Sequence, residues 1–434
     1  MSHRTRQALC AVLGLLLPLA AFAADDFDAP PIGYRSAKAD NPVSRLQDAF
    51  DTNSAALEYD PRFGYLPSVI DRLKIPRESQ VLVFTKTSLQ AQYITPSNPR
   101  SIYFNDDTYV GGVPGGELLE VSAADPALGA VFYTVAQRKS DRPQFVRQHD
   151  TCLQCHGSVL TSGIPGHVVR SVYPGADGFP ILKAGSFVTT QASPWNERWG
   201  GWYVTGNHGR ARHMGNAIAT ETELDAAIDM EAGANRMTLD QRVDPDNYLT
   251  RHSDIVALLV LEHQTRMHNL ITNANFETRV ALDRQAAVDE VLKRDPKVLS
   301  ESTQHIIKSV GDKLVDYMLF ADEVRLDSPV SGASGFTEFF SRQGPRDSQG
   351  RSLREFDLQD RLFKYPLSYL IYSPQFDGLP TQAKDYVYRR LWDILTGVVF
   401  AKDYVHLTKE KRQAIRQIVI ETKPGLPVYW KKGS

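Results

Sequence analysis

Beyond residue 23 the only cysteines are Cys152 and Cys155, three positions apart, so no disulfide can staple a long loop. The 434 residues must therefore be held by burial of apolar side chains, at a length that suits two or three domains or one elaborated fold. Residues 1–23 are expected to be a signal peptide: Arg4 and Arg6 give a basic start, Ala8 to Phe22 is mostly apolar, and Ala21-Phe22-Ala23 is a small-x-small cleavage site. Cys10 follows Leu9 inside that apolar stretch, where a lipoprotein acceptor would need a small neighbour, so it is expected to leave with the leader. The mature chain is then expected in the periplasm. Its longest apolar run, Ile255 to Leu261, is far short of the roughly 20 residues that span a bilayer, so no transmembrane segment is expected. A formal net charge of −2 gives no reason to expect a nucleic-acid partner.

The pattern along the chain predicts an α+β fold with no internal repeat. Residues 24–140 read as a β-rich region in which a wrapping segment and a short helix over Leu66 to Leu73 precede strands at Val81 to Thr85, Ser101 to Phe104, Tyr109 to Val110, Leu118 to Val121 and Ala130 to Val135. Residues 141–220 are loop-rich, with strands expected at Val168 to Tyr173, Ser186 to Thr190 and Trp202 to Thr205. Residues 221–434 turn helical, with a long helix capped by Ser253 and running to about Leu282, then helices over about 300–321, 382–396 and 407–421.

The chemistry is concentrated in Thr151-Cys152-Leu153-Gln154-Cys155-His156, which contains C-x-x-C-H, the attachment signature of c-type haem. On one helical turn, residues i and i+3 share a face, so both sulfurs can form thioethers with the two vinyl groups on one edge of a macrocycle. His156, at i+4, then points its imidazole at the iron. Attachment takes place outside the cytoplasm on reduced thiols, in agreement with the leader. A thioredoxin-like pair would normally follow an apolar strand, whereas residues 144–150 read QFVRQHD. A structural zinc site would need His167 as a fourth ligand.

On these five residues and the export signal the chain resembles the cytochrome c superfamily. The strings YFNDDTYVGG, RWGGWYVTG and RHMGN also look like those of exported single-haem bacterial proteins. The resemblance implies one covalent haem c, with Cys152 and Cys155 as thioether donors and His156 as axial ligand. The length departs from the dedicated small cytochromes, which need about a quarter of it.

A second axial ligand would be Met or His, the choice tuning the potential. Met214 is the first candidate: it lies 58 residues after His156, an interval similar to that of small monohaem cytochromes, in the loop-like RHMGN. His213 and His208 could substitute. The rival is His263, one helical turn before Met267, although such a pair also suits core packing. Arg138, Arg147, Arg170, Arg198, Arg210 and Arg212 flank the region as cations for propionates, and Trp195, Trp199, Trp202 and Tyr203 could wall a macrocycle or simply pack. Asn105-Asp106-Asp107 reads as an Asx turn, and Gly111 to Gly116 as a hairpin turn rather than a phosphate loop.

The expected function is electron transfer by a periplasmic monohaem c-type cytochrome, with a redox protein or a small-molecule donor or acceptor as partner. The alternatives are a haem enzyme, a peroxidase or small-molecule dehydrogenase with an open distal site, and a haem-based sensor of a diatomic gas.

Overall fold

The computed structural model describes residues 26–221, 226–399 and 401–431, and the expected leader lies outside them. The fold is α+β, with strands gathered in the N-terminal half and helices in the C-terminal half. Among the described residues, nine strands matter for the site: β1 (Val81–Val83), β2 (Arg100–Phe104), β3 (Thr108–Gly112), β4 (Leu118–Asp125), β5 (Gly129–Ala136), β6 (Val146–Gln148), β7 (Arg170–Val172), β8 (Ser186–Val188) and β9 (Trp202–Tyr203). Seven of them form one antiparallel sheet in the order β6-β5-β4-β3-β2-β1-β9, while β7 and β8 pair separately. The sheet thus takes its two edge strands from the region expected to be a separate loop-rich part.

Turn chemistry sets the register. Asn105 Oδ1 accepts from the Asp107 and Thr108 amides between β2 and β3, the expected Asx turn. Asp125 Oδ1 does the same for Ala127 and Leu128 between β4 and β5, while its Oδ2 holds the Asp40 amide and the Asn41 side chain of the wrapping segment. Side chains alternate along a strand, so the sheet has two distinct faces. Val110, Val121, Val131, Tyr133 and Val135 pack against the N-terminal segment, which includes α1 (Pro42–Asp51) and α2 (Leu66–Arg72). The other face carries Arg100, Tyr109, Gly111, Glu120, Ser122, Phe132 and Thr134 in register.

The helices that follow are α3 (Leu153–His156), α4 (Ile255–Leu292), α5 (Glu301–Met318), α6 (Phe336–Arg342), α7 (Pro374–Asp377), α8 (Thr381–Thr396) and α9 (Lys409–Thr422). The long helix differs from expectation at both ends. Its cap is Asp254, whose Oδ1 accepts from the Val256 and Ala257 amides. Ser253 is used elsewhere: its hydroxyl donates to the Tyr203 carbonyl and accepts from the Leu82 amide, tying the helix start to β1 and β9. At the far end the helix runs ten residues past Leu282, where Gln285 binds Asp289, the Val298 carbonyl and the Ser300 amide and so packs the exposed last turns against the following loop.

Asp254 also joins distant parts of the chain, because its Oδ2 accepts from the amides of Ala333 and Ser334 and from the Ser334 hydroxyl, each at 2.8 Å. Asp254→Ala removes a helix cap and strands two loop amides at once. The expected cost is about 3 kcal/mol, read as a lower urea midpoint with an unchanged slope.

Candidate functional site

The motif helix α3 stands over the second face of the sheet. Gly111 leaves room there: a Cβ at this position would come within 2.7 Å of Arg100 Nε. The Arg100 side chain therefore crosses β3 to reach Glu120 on β4, with Nη1 3.1 Å from Oε2. Phe132, one strand further, packs its ring on His156 at 4.8 Å between centroids.

Within α3 the backbone turn closes between the His156 amide and the Cys152 carbonyl at 2.9 Å, which places residues 152, 155 and 156 on one turn as the spacing predicts. Neither cysteine forms a disulfide; Cys155 is exposed and Cys152 half-buried. The imidazole is fixed by one decisive bond, His156 Nδ1 to the Gly166 carbonyl at 2.9 Å. A carbonyl only accepts, so Nδ1 carries the proton and Nε2 carries the lone pair. Gly166 also returns its amide to the His156 carbonyl at 2.8 Å. Ring and backbone of His156 are thus held by the same residue.

Gly166 is in turn positioned from α4. Asn269 clamps the next residue from both sides, accepting from the His167 amide at 2.9 Å and donating to the His167 carbonyl at 2.7 Å. A Cβ on Gly166 would meet Asn269 Oδ1 at 2.5 Å, so this contact admits only glycine without a shift. His167 itself is buried, with Nε2 against the Ser122 hydroxyl at 3.0 Å and its ring between Tyr109 and Phe132. Among the described residues, no group of three or more His, Cys, Asp or Glu side chains converges to hold a metal, and the zinc alternative through His167 is not assembled.

Burial pushes the Cys152 thiol up to about 11, and the Glu120 carboxylate adds to the effect while Arg100 opposes it. A thiol-exchange nucleophile needs the opposite shift, which removes support for the thioredoxin-like alternative. Burial lowers His156, against the Gly166 hydrogen bond, and keeps its imidazole neutral. The positive charge of Arg100 bears on both groups, so this cation lies beside the motif. Sequence reasoning weighed only arginines downstream of residue 137 and missed Arg100, because only strand pairing brings it here.

Other expected participants have partners of their own. Met214 is fully buried, and its sulfur accepts from the Ser171 hydroxyl at 3.7 Å. His263 is also fully buried: Nδ1 binds Gln191 Oε1 at 2.6 Å, Nε2 binds the Ser368 hydroxyl at 2.9 Å, and the ring stacks between Tyr317 and Phe320. The structure shows neither packed on the His156 ring. His208 and His213 pack on each other and on Trp195 and Trp199. Arg198 is spent on a buried ion pair with Glu262, whose other oxygen accepts from Trp199 Nε1 at 3.1 Å. Arg147 donates to the carbonyls of Ala37 and Tyr34, and Arg212 pairs with Glu231. The tryptophan cluster is packing for this pair and for the core. No protein-family model, curated protein or solved structure matches the chain.

Two expectations follow from these contacts. Gly166→Ala should drive a methyl into Asn269 Oδ1 and cost about 2 kcal/mol in urea denaturation. Asn269→Ala should cost a similar amount, and the double variant should cost clearly less than the sum, since the two residues form one contact. Burial lowers His263 to about 3, whereas an unfolded histidine titrates near 6.5. Below about 6.5 the unfolded chain therefore takes up a proton that the folded chain refuses, so this contribution is complete at neutral pH and lost as pH falls toward 3. Glu262, raised to about 7 by burial, slopes the opposite way, so the histidine contribution is read by difference. His263→Gln should lower stability at pH 7 yet lose less between pH 7 and pH 4.5 than the parent, by urea midpoints at both values; equal losses would contradict a buried neutral imidazole.

Proposed function

We propose that this chain is an exported, periplasmic monohaem c-type cytochrome that transfers electrons, with haem c attached through Cys152 and Cys155 and with His156 as an axial iron ligand. The observation that carries the reading is the bond from His156 Nδ1 to the Gly166 carbonyl, which presents Nε2 as the ligating atom, as the outer partners of metal-bound histidines do. Beside it Val159, three residues past the motif, leaves an apolar side chain 92 % exposed. Arg100, held beside the motif by its pair with Glu120, is a cation that a propionate would meet. Haem c bound there supplies a one-electron iron couple for exchange with a redox protein or a small-molecule donor or acceptor.

A second reading, a haem enzyme or gas sensor with an open distal site, is favoured by one observation. The two donors best suited to the other axial position, Met214 and His263, are both engaged in the core. Carbon monoxide added to the reduced holoprotein separates the readings: prompt binding favours the open site, and no spectral change favours the carrier.

Protein made in a host with c-type maturation machinery should be coloured, keep its pigment through acid-acetone extraction and give a pyridine haemochrome spectrum. The Cys152→Ser, Cys155→Ser double variant should lose the covalent pigment. A colourless parent, or pigment extracted from it by acid-acetone, would defeat the proposal.

A further inference from the structure

The loop from Arg236 to Val243 is anchored on the edge of the sheet where β9 pairs with β1. Leu239 and Val243 share one buried cluster with Leu82, Phe84 and Tyr203. The Arg242 and Val243 amides both donate to the Leu239 carbonyl, at 2.7 and 3.1 Å, and the Gly206 amide donates to the Arg236 carbonyl at 2.8 Å. Burial thus fixes the backbone that carries Arg236 and Arg242, while both side chains stay half-buried and reachable from solvent. An open cleft of about 460 Å³ lies between this loop and the turn at Pro96-Ser97, lined by Pro96, Ser97, Tyr203, Arg236, Gln241 and Arg242. None of the six is acidic.

Each arginine is positioned but not neutralised. Arg236 Nη2 donates to the Ala232 carbonyl at 2.7 Å. Arg242 lies against the Tyr203 hydroxyl, which gives its own proton to the Pro96 carbonyl at 2.6 Å. Among the described residues neither guanidinium pairs with a carboxylate, because the acids of the same stretch are engaged elsewhere. Arg251 takes Asp240 at 3.7 Å and Asp246 at 3.5 Å, and Asp244 accepts from the Asp246 amide. Two like charges facing one cleft repel, and an anion between them relieves the repulsion. Ser97 and Gln241 are exposed and add neutral donors. The Ser97 hydroxyl meets Thr95 Oγ1 at 3.1 Å, and since Thr95 Oγ1 already accepts from the Asn98 amide, Thr95 can supply the proton of that contact and leave the Ser97 proton for a ligand.

The donor set selects the anion. Two guanidinium forks, a hydroxyl and an amide offer more hydrogen bonds than the two oxygens of one carboxylate can use, whereas a phosphate monoester has three terminal oxygens and a charge near −2 that balances both cations. The volume falls within the range of small-molecule sites, roughly 300–1,000 Å³. The lining exposes no large apolar side chain that could enter a bilayer, which favours a soluble ester over a lipid headgroup. We propose that this cleft is a binding site for a small, soluble phosphate monoester, its phosphate held between Arg236 and Arg242 with Ser97 and Gln241 as further donors. The site does not rest on the porphyrin reading.

The test is titration calorimetry of the whole protein at about pH 8, well above the second phosphate pKa near 6, with glycerol phosphate and separately with succinate at equal ionic strength. Glycerol phosphate should bind at one site, and succinate, whose two charges sit on separate groups, more weakly. Arg236→Met and Arg242→Met keep the stems but remove the donors, and each should weaken glycerol phosphate about tenfold. Gln241→Glu, which puts a carboxylate of the same shape at an exposed position of the lining, should weaken it in the same direction. Circular dichroism of the variants, with the parent spectrum expected, separates lost binding from lost folding. No heat with glycerol phosphate, succinate bound as tightly, or unchanged binding in both folded arginine variants each overturns the proposal. If the arginine variants misfold, Gln241→Glu decides alone, and unchanged binding there overturns it. Co-sedimentation of the parent with phosphatidylcholine vesicles carrying phosphatidate, lost in the arginine variants, would overturn the soluble source in favour of a lipid headgroup. The readout is heat rather than colour, so its failure is distinguishable from failure of the haem reading.

Discussion

The region around the motif depends on the burial of polar side chains along α4. Glu262, His263, Gln264, His268 and Asn269 are all buried on consecutive turns of this helix, where an unpaired polar group costs about 1–3 kcal/mol. Each is paired with a different segment. Glu262 takes Arg198 and Trp199, and His263 takes Gln191 and Ser368. Gln264 holds the Asn105 carbonyl and the Tyr109 and Tyr369 hydroxyls, and His268 takes Gln375 and the Asp106 carbonyl. Asn269 takes the backbone of His167. Segments with little regular structure are thus held in place, because moving any one of them would orphan a group inside the protein.

The sheet does the complementary work from the other side. Its antiparallel register puts Arg100, Glu120, Ser122, Phe132 and Thr134 on one face, and the missing side chain of Gly111 lets Arg100 reach across β3 to Glu120. Phe132 supports the His156 ring, and Ser122 meets the His167 imidazole. The motif is therefore gripped between a sheet and a helix, while Cys155 and Val159 remain exposed. The same enclosure raises the Cys152 thiol, the opposite of what activates a thiol-exchange nucleophile.

Much of the secondary structure was legible because its causes are local. The strands β2 to β5 follow from alternating apolar runs between Asn, Asp and Gly turns, and α5, α8 and α9 begin within two residues of expectation. Two misses have local explanations. The segment before Leu66 is expected only to wrap, yet Asn41 as cap followed by Pro42 in the first turn is a helix start, and α1 begins there. β6 is a short edge strand whose burial pattern is exposed and intermediate, so it has no inward-facing apolar rhythm to betray it. Arg100 and Asn269 were missed for another reason. Their importance comes from strand pairing and helix docking, which leave no trace in neighbouring residues.

By itself, the sequence determined the spacing of Cys152, Cys155 and His156 on one helical turn, the α+β succession and the length of apolar helix available to bury. Those features are set within a few residues by backbone geometry and turn chemistry. Only the tertiary structure decided which nitrogen of His156 keeps its proton, because the Gly166 carbonyl is placed through an Asn269 clamp that spans 102 residues of sequence. It also decided that Met214 and His263 have partners in the core. Such choices depend on which groups meet across the fold, and in a dry interior the nearest unmet donor or acceptor settles them.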